Sequence, residues 1–396
     1  MKLLSKRKSK PTLRGFNYCL LRGLAKKKCW LNLRIRELDQ RYDDGKILCS
    51  MCTKPLPIAE KAYRLFLNSN LGDSGLFSGS VRLEKEVINQ LGTLLHGENC
   101  VGHVVSGGTE ANLMALLAAR NMAQVSQPEV VLPESAHFSF TKICNLLTLK
   151  PVHAGLDSSF RADSSSVEKC VTKNTIAIVG TAGTAELGAV DPIEELSRIA
   201  TEHNVWLHVD AAFGGLVIPF LKNATFKFDF ALDAVKSMTV DPHKMGMASI
   251  PSGGIVFRDC KAMDFIKTET PYLTEPYQHT FIGTRTGASA ASAWAVFRFL
   301  GIEGFEKMVG KCMKNTKQLS EGLTKAGFQL VVKPTLNIVA FRGDNGTKRL
   351  AEKLWESGWF VSYVPRYDCI RIVVMPHVHK KHALAFLKDL AEIEKL

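Results

Sequence analysis

No apolar run in these 396 residues approaches the roughly 18 that a membrane-spanning helix needs, so a soluble, folded protein is expected. With 46% apolar and 22% charged residues, the composition is that of a globular chain able to bury a large core. Acidic residues are absent from positions 1–36, where twelve Lys or Arg stand. Removing those twelve from the 51 basic residues leaves 39 against 38 acids, so the net charge of +13 belongs to one end and the remainder is electrostatically ordinary. A nucleic-acid-binding function therefore has only this segment to rest on. Three readings of it stay open: a nucleic-acid arm, a transit-like segment, or residues upstream of the true start of the protein. Tyr18 to Leu21 is too short for the apolar centre of a secretory signal, and the expected location is the cytoplasm.

A second close cysteine pair is also missing. Of ten cysteines only Cys49 and Cys52 have C-x-x-C spacing, so unpaired thiols are expected rather than a zinc site or a disulfide framework. The cluster His377-x-His379-x-x-His382 has no acidic or cysteine ligand beside it and abuts Lys380 and Lys381. It reads as a solvated helix face, and no metal is expected. Internal repeats and low-complexity linkers are absent too.

What is present, from about residue 84, is an alternation of helical and β-rich stretches. Helices are expected over Leu83–Leu95, Thr109–Met122 and Ile193–Glu202. Strands are expected over Val101–Val105, Val130–Leu132, Leu147–Val152, Ile176–Val179, Val205–Val209, Ser237–Val240 and Gly254–Phe257. Seven strands interleaved with helices predict an α/β domain with a mostly parallel sheet covered on both faces. Helices over Gly287–Phe299 and Glu303–Ala326 end the alternation. Beyond them, strands over Phe328–Val332, Asn337–Phe341, Phe360–Val364 and Ile370–Val374, with helices over Thr347–Ser357 and from Lys380, read as a smaller α+β domain starting near residue 290.

Three motifs fall at expected strand ends. Ser106-Gly107-Gly108-Thr109 closes one strand and opens an Ala-rich helix, presenting free backbone N–H groups and a hydroxyl to an anion, as a phosphate cup would. It matches neither G-x-x-x-x-G-K-[ST] nor G-x-G-x-x-G, so a nucleotide site lacks its usual fingerprint. Asp210, at the end of Trp206-Leu207-His208-Val209 and before Ala211-Ala212-Phe213-Gly214, sets a carboxylate where a flat ring can approach closely. Lys244 in Asp241-Pro242-His243-Lys244-Met245-Gly246 stands where a fold can desolvate an amine and lower its pKa for Schiff-base work. Each is weak alone. Together they are the three anchors that pyridoxal phosphate requires.

At this point the runs SGGTEANL, AHFSF, HVDAAFGG, DPHKMG and GTRTG resemble the group II pyridoxal-phosphate-dependent amino-acid decarboxylases over roughly residues 37 to 396. The resemblance implies an aspartate aminotransferase-like fold (fold type I) and a cytoplasmic homodimer acting on a small L-amino acid. It implies a segment 37–83 packing on the dimer, a cofactor-binding domain over 84–289 and a small domain over 290–396. It implies pyridoxal 5'-phosphate held by Lys244, paired with Asp210 at the ring nitrogen and stacked on His137. Gly108, Thr109 and His243 are then at or near the phosphate, with Thr184 close to the ring. Thr284, beside Gly283, reaches the phosphate of the neighbouring subunit. Arg371 takes the substrate α-carboxylate, and Tyr272, on a loop expected to be mobile, returns a proton to the substrate carbon. The implied products are tyramine from tyrosine, for methanofuran, or β-alanine from aspartate, for coenzyme A. The chain departs from the family at Ala185, where a second Thr is common, and in its basic start, which is acidic and helical in relatives. Two alternatives remain: a carbon-carbon lyase of the sphingosine-phosphate type, and nucleic-acid binding through residues 1–36.

Overall fold

Seven strands form the central sheet of the computed structural model, which describes residues 37–394 except 223, 225, 344 and 345. The basic segment 1–36, with Cys19 and Cys29, lies outside the described residues. The strands are β1 (Val101–Val105), β2 (Glu129–Pro133), β3 (Lys150–Ala154), β4 (Thr175–Thr181), β5 (Trp206–Asp210), β6 (Val235–Val240) and β7 (Gly253–Phe257). Their order is β1-β7-β6-β5-β4-β2-β3, and only β7 runs against the others. The expected strand at Leu147 starts late. Phe140, Ile143, Cys144 and Leu147 are buried at helical spacing, so Ser139–Leu147 is a helix, and Thr148, in the left-handed conformation, ends it before β3.

Strands β2, β4, β5 and β7 are buried along their whole length, which their apolar, β-branched composition allows. The pleat divides their side chains between two cores. Val256 joins the core under α1 (Ser78–Leu94), α2 (Ile193–Glu202) and the first half of α3 (Gly287–Lys325), whereas Ile255 and Phe257 join the core under α4 (Gly108–Met122) and the Ser139–Leu147 helix. Helix α3 breaks at Gly301 (φ 56°, ψ −171°), which divides it much as the two expected helices were divided. Beyond it a four-stranded antiparallel sheet, Gln329–Leu330, Ile338–Arg342, Cys369–Val373 and Ser362–Val364 in spatial order, packs on the end of α3 and on Lys380–Ile393 around Leu323, Leu354, Trp359 and Phe386.

The histidine cluster corrects the expectation of a solvated face. His377 is buried, its ring bonded to the Thr53 hydroxyl and to the Ile47 carbonyl, both at 2.8 Å. His382 is also buried and closes a capping box with His379 at the start of the last helix. Only His379 is exposed. Among the described residues, no group of three or more His, Cys, Asp or Glu side chains is placed to hold a metal ion.

Candidate active site

Because β1, β2, β4, β5 and β6 are parallel, their carboxyl ends share one edge of the sheet, where ligands bind in open α/β folds. The segments following these strands line a cavity of about 400 Å³: Ser106–Thr109 after β1, His137 after β2, Thr181, Gly183 and Ala185 at β4, Asp210 at β5, and Asp241, His243 and Lys244 after β6. The cup at Ser106–Thr109 is fixed in shape by close backbone contact. A Cβ on Gly253 would sit 2.4 Å from the Gly107 Cα, so only glycine lets β7 approach that turn. Glu110 closes it from below, accepting hydrogen bonds from the backbone N–H of Ser106 at 2.8 Å and of Ile282 at 3.2 Å.

Asp210 is buried, with one carboxylate oxygen accepting from the Asn112 amide at 2.9 Å and the other from the Ala212 N–H at 3.1 Å. His137 is held by a 2.9 Å contact between Nδ1 and the Ser139 hydroxyl, and burial lowers its pKa below the ordinary histidine value. His243 accepts at Nδ1 from the Ser252 N–H at 3.1 Å, and its pKa is lowered for the same reason.

Lys244 corrects one expectation. Its side chain is 20% exposed and its Nζ lies 3.0 Å from Asp241 Oδ2. Burial opposes the charge, but the carboxylates of Asp241 and Asp210 outweigh burial, and the pKa stands above the ordinary lysine value rather than below it.

Four expected residues lie outside the cavity lining. The Thr184 hydroxyl accepts from the Ala189 N–H at 3.0 Å within a tight turn, leaving its neighbours Gly183 and Ala185 to face the cavity. Arg371 is largely enclosed, which lowers its pKa to about 10. It donates to the Cys49 carbonyl at 3.1 Å and the Ser362 hydroxyl at 3.2 Å and keeps Nε without a partner. Tyr272 is 86% exposed on the loop between the short strands Thr268–Glu269 and Tyr277–Gln278, and that loop is tied through Thr274 to Asp73 and Gly75. Thr284 is exposed beside the buried Arg285–Glu84 ion pair.

The sequence reading gave no role to Asn112, Thr181, Asp241 or Met51, all of which line the cavity. A signal existed for Asn112. It follows Thr109 by three residues and so shares that residue's face of a helix whose other buried positions are almost all apolar.

The residues fit pyridoxal phosphate: Thr181 Oγ1 and Asp241 Oδ1 are buried without a hydrogen-bond partner on the lining of a cavity that also offers an anion cup, an amine and a carboxylate. This is the equipment of a fold type I pyridoxal-phosphate enzyme. Residues 78–344 match the pyridoxal-dependent decarboxylase conserved domain. The chain belongs to that family, its cofactor is pyridoxal 5'-phosphate, and its chemistry is that of a carboxy-lyase. A probable L-tyrosine/L-aspartate decarboxylase of Methanothermobacter thermautotrophicus is 51% identical over 89% of this chain and 98% of its own. The L-aspartate decarboxylase of Thermococcus kodakarensis is 47% identical over 91% of this chain and 96% of its own. Among solved structures, a sphingosine-1-phosphate lyase of Burkholderia pseudomallei superposes with a TM-score of 0.85 at 26% identity, covering 98% of this chain and 92% of that one.

Proposed function

We propose that the protein is a homodimeric decarboxylase that converts L-tyrosine to tyramine, L-aspartate to β-alanine, or both. The observation that carries this reading is the convergence of Lys244, Asp210, His137 and the Ser106–Thr109 cup on one cavity. The substrate class rests on relatives 43–51% identical whose names carry those two amino acids. A decarboxylase with these products would feed methanofuran or coenzyme A synthesis from the cytoplasm.

Pyridoxal phosphate, when bound, supplies a sink for the electron pair left as carbon dioxide departs. The cup, with Gly108 and Thr109, would hold its phosphate, with His243 nearby, Asp210 would pair with the ring nitrogen, and the His137 imidazole would stack on the ring. Lys244 would hold the group through its side-chain nitrogen. The proton on Nζ must leave before that nitrogen can attack a carbonyl, and Asp241, 3.0 Å away with a second oxygen unpartnered, is placed to hold it. Arg371 keeps unspent donor capacity for a substrate carboxylate. Tyr272 and Thr284 lie outside their own chain's cavity and are exposed, as residues serving a second copy's site must be, and Phe281 and Ile282 add exposed apolar surface beside Thr284. The cofactor-binding domain spans 84–289, the small domain 290–396, and segment 37–83 packs on the dimer.

The test is to incubate the purified protein with pyridoxal phosphate and tyrosine, aspartate or glutamate, measuring carbon dioxide and identifying each amine. Tyramine or β-alanine with equimolar carbon dioxide is expected. An aldehyde from a phosphorylated amino alcohol, without carbon dioxide, would instead support the carbon-carbon lyase.

A further inference from the structure

Behind Asp210 lies a chain of buried polar groups, Asn112, His208, Ser237 and Trp206, to which the reaction as described gives no part. The period of two along β5 sets Trp206, His208 and Asp210 on one face, and the register with β6 places Ser237 opposite His208 and Thr239 opposite Asp210. Asn112 reaches them from α4. The Trp206 indole N–H lies 2.8 Å from the Ser237 hydroxyl, that hydroxyl 2.8 Å from His208 Nδ1, His208 Nε2 3.0 Å from Asn112 Oδ1, and the Asn112 amide nitrogen 2.9 Å from Asp210 Oδ2. Thr239 donates its hydroxyl to Asn112 Oδ1 at 2.6 Å. His208 and Ser237 have no exposed surface, so bulk solvent does not reach either group.

The direction of every proton in this chain follows from its two ends. A carboxylate only accepts, so Asn112 turns its amide nitrogen to Asp210 and its oxygen to His208. An amide oxygen only accepts, so the His208 nitrogen 3.0 Å from it carries the proton of the neutral imidazole, on Nε2, and Nδ1 is left as an acceptor from Ser237. An indole only donates, so Trp206 occupies the Ser237 oxygen and leaves its hydrogen for His208. Burial lowers the His208 pKa to about 4, which keeps the ring neutral across the physiological range.

We infer that His208 is a positioning residue that holds Asn112, and through it Asp210, in the one orientation that meets the ring nitrogen of pyridoxal phosphate. The inference rests on reading the cavity as that cofactor's site. The Asn112 amide could otherwise flip, presenting its oxygen to the carboxylate and repelling it. The Nε2–H tautomer makes the flipped state leave two donors, from His208 and Thr239, facing an amide N–H. One oxygen of Asp210 is thus pinned by Asn112 and the other by the Ala212 N–H, and the lone pairs left over face the cavity.

The experiment compares wild type, His208→Gln and His208→Leu by equilibrium dialysis of pyridoxal 5'-phosphate and by the pH midpoint of the bound cofactor's visible absorbance, with melting temperatures as the control for folding. Glutamine reproduces the Nε2 donor and leucine does not. The leucine variant should bind the cofactor about tenfold more weakly, the worth of one lost charge-assisted hydrogen bond, and its absorbance midpoint should move, while glutamine stays within about twofold of wild type. Folded His208→Leu protein with wild-type binding and midpoint would overturn the inference. So would His208→Gln binding as weakly as His208→Leu at a matching melting temperature, since packing alone would then explain both. Should His208→Leu not fold, Ser237→Ala, which removes one oxygen, is expected to bind about threefold more weakly, and wild-type binding by it would overturn the inference. Wild-type protein that binds no pyridoxal phosphate would overturn the functional reading and this inference together, whereas the other outcomes strike the inference alone.

Discussion

Among the described residues Lys244 is the one lysine on the cavity lining, so Lys244→Ala should lose both turnover and the visible absorbance of bound pyridoxal phosphate. A colourless wild type, or an active alanine variant, would contradict that role. Tyr272 and Arg371 should separate by what they lose. Tyr272→Phe is expected to keep cofactor and substrate binding while amine formation falls, because in the proposed role its hydroxyl acts after carbon dioxide has left. Arg371→Ala should chiefly raise KM, because in the proposed role the substrate carboxylate loses a fork-shaped partner. Steady-state kinetics on both variants, with the products identified, reads the difference. His208 adds a pH dependence of stability. Unfolded, it takes a proton as pH falls through 6.5, whereas folded it stays neutral to about 4. Its contribution is therefore intact above pH 6.5 and is lost on acidification toward 4, at up to about 1.4 kcal/mol per pH unit. Between about pH 7.5 and pH 5 the wild type should lose about 2 kcal/mol more than His208→Gln in urea denaturation, and equal losses would show that the buried ring does not titrate this way.

Elements set the cup, and Gly253 tests how tightly. A methyl there must push β7 away from Gly107, so Gly253→Ala should cost about 1–3 kcal/mol of stability and weaken cofactor binding more than substrate recognition, as dialysis and denaturation can measure. The elements themselves were largely legible in the sequence. The strands end where Asp210 and Val240 stand because each is an apolar, β-branched run stopped by charged or small residues. The helix Ser139–Leu147 was not legible as such, since Phe140, Ile143, Cys144 and Leu147 are too few to separate a short helix from a strand by period. The histidine cluster misled for a different reason. Lysines beside a histidine suggest solvent, but burial of His377 is decided by Thr53 and Ile47, more than 300 positions away in the chain. Separation in the chain also hid the role of Asn112, whose partners His208, Asp210 and Thr239 lie 96, 98 and 127 positions further on, in two later strands.

For the whole molecule, the question is whether residues 1–36 take part in the reaction. Among the described residues, those lining the cavity fall between Met51 and Lys244, and beyond position 36 the bases exceed the acids by one. Tyrosine is a net-neutral zwitterion at about pH 7, so a basic arm adds no long-range steering for that substrate. Deleting residues 1–36 should leave cofactor binding and carbon dioxide release within about twofold of the full chain, and the proposed homodimer should persist in light scattering, since the exposed apolar Phe281, Ile282 and Leu76 remain to support it. A nucleic-acid role would show differently: the full chain would bind DNA or RNA with an affinity falling steeply as salt rises, and the truncated one would not. Loss of soluble, active dimer on truncation would instead assign the segment to the subunit interface and refute its independence from catalysis.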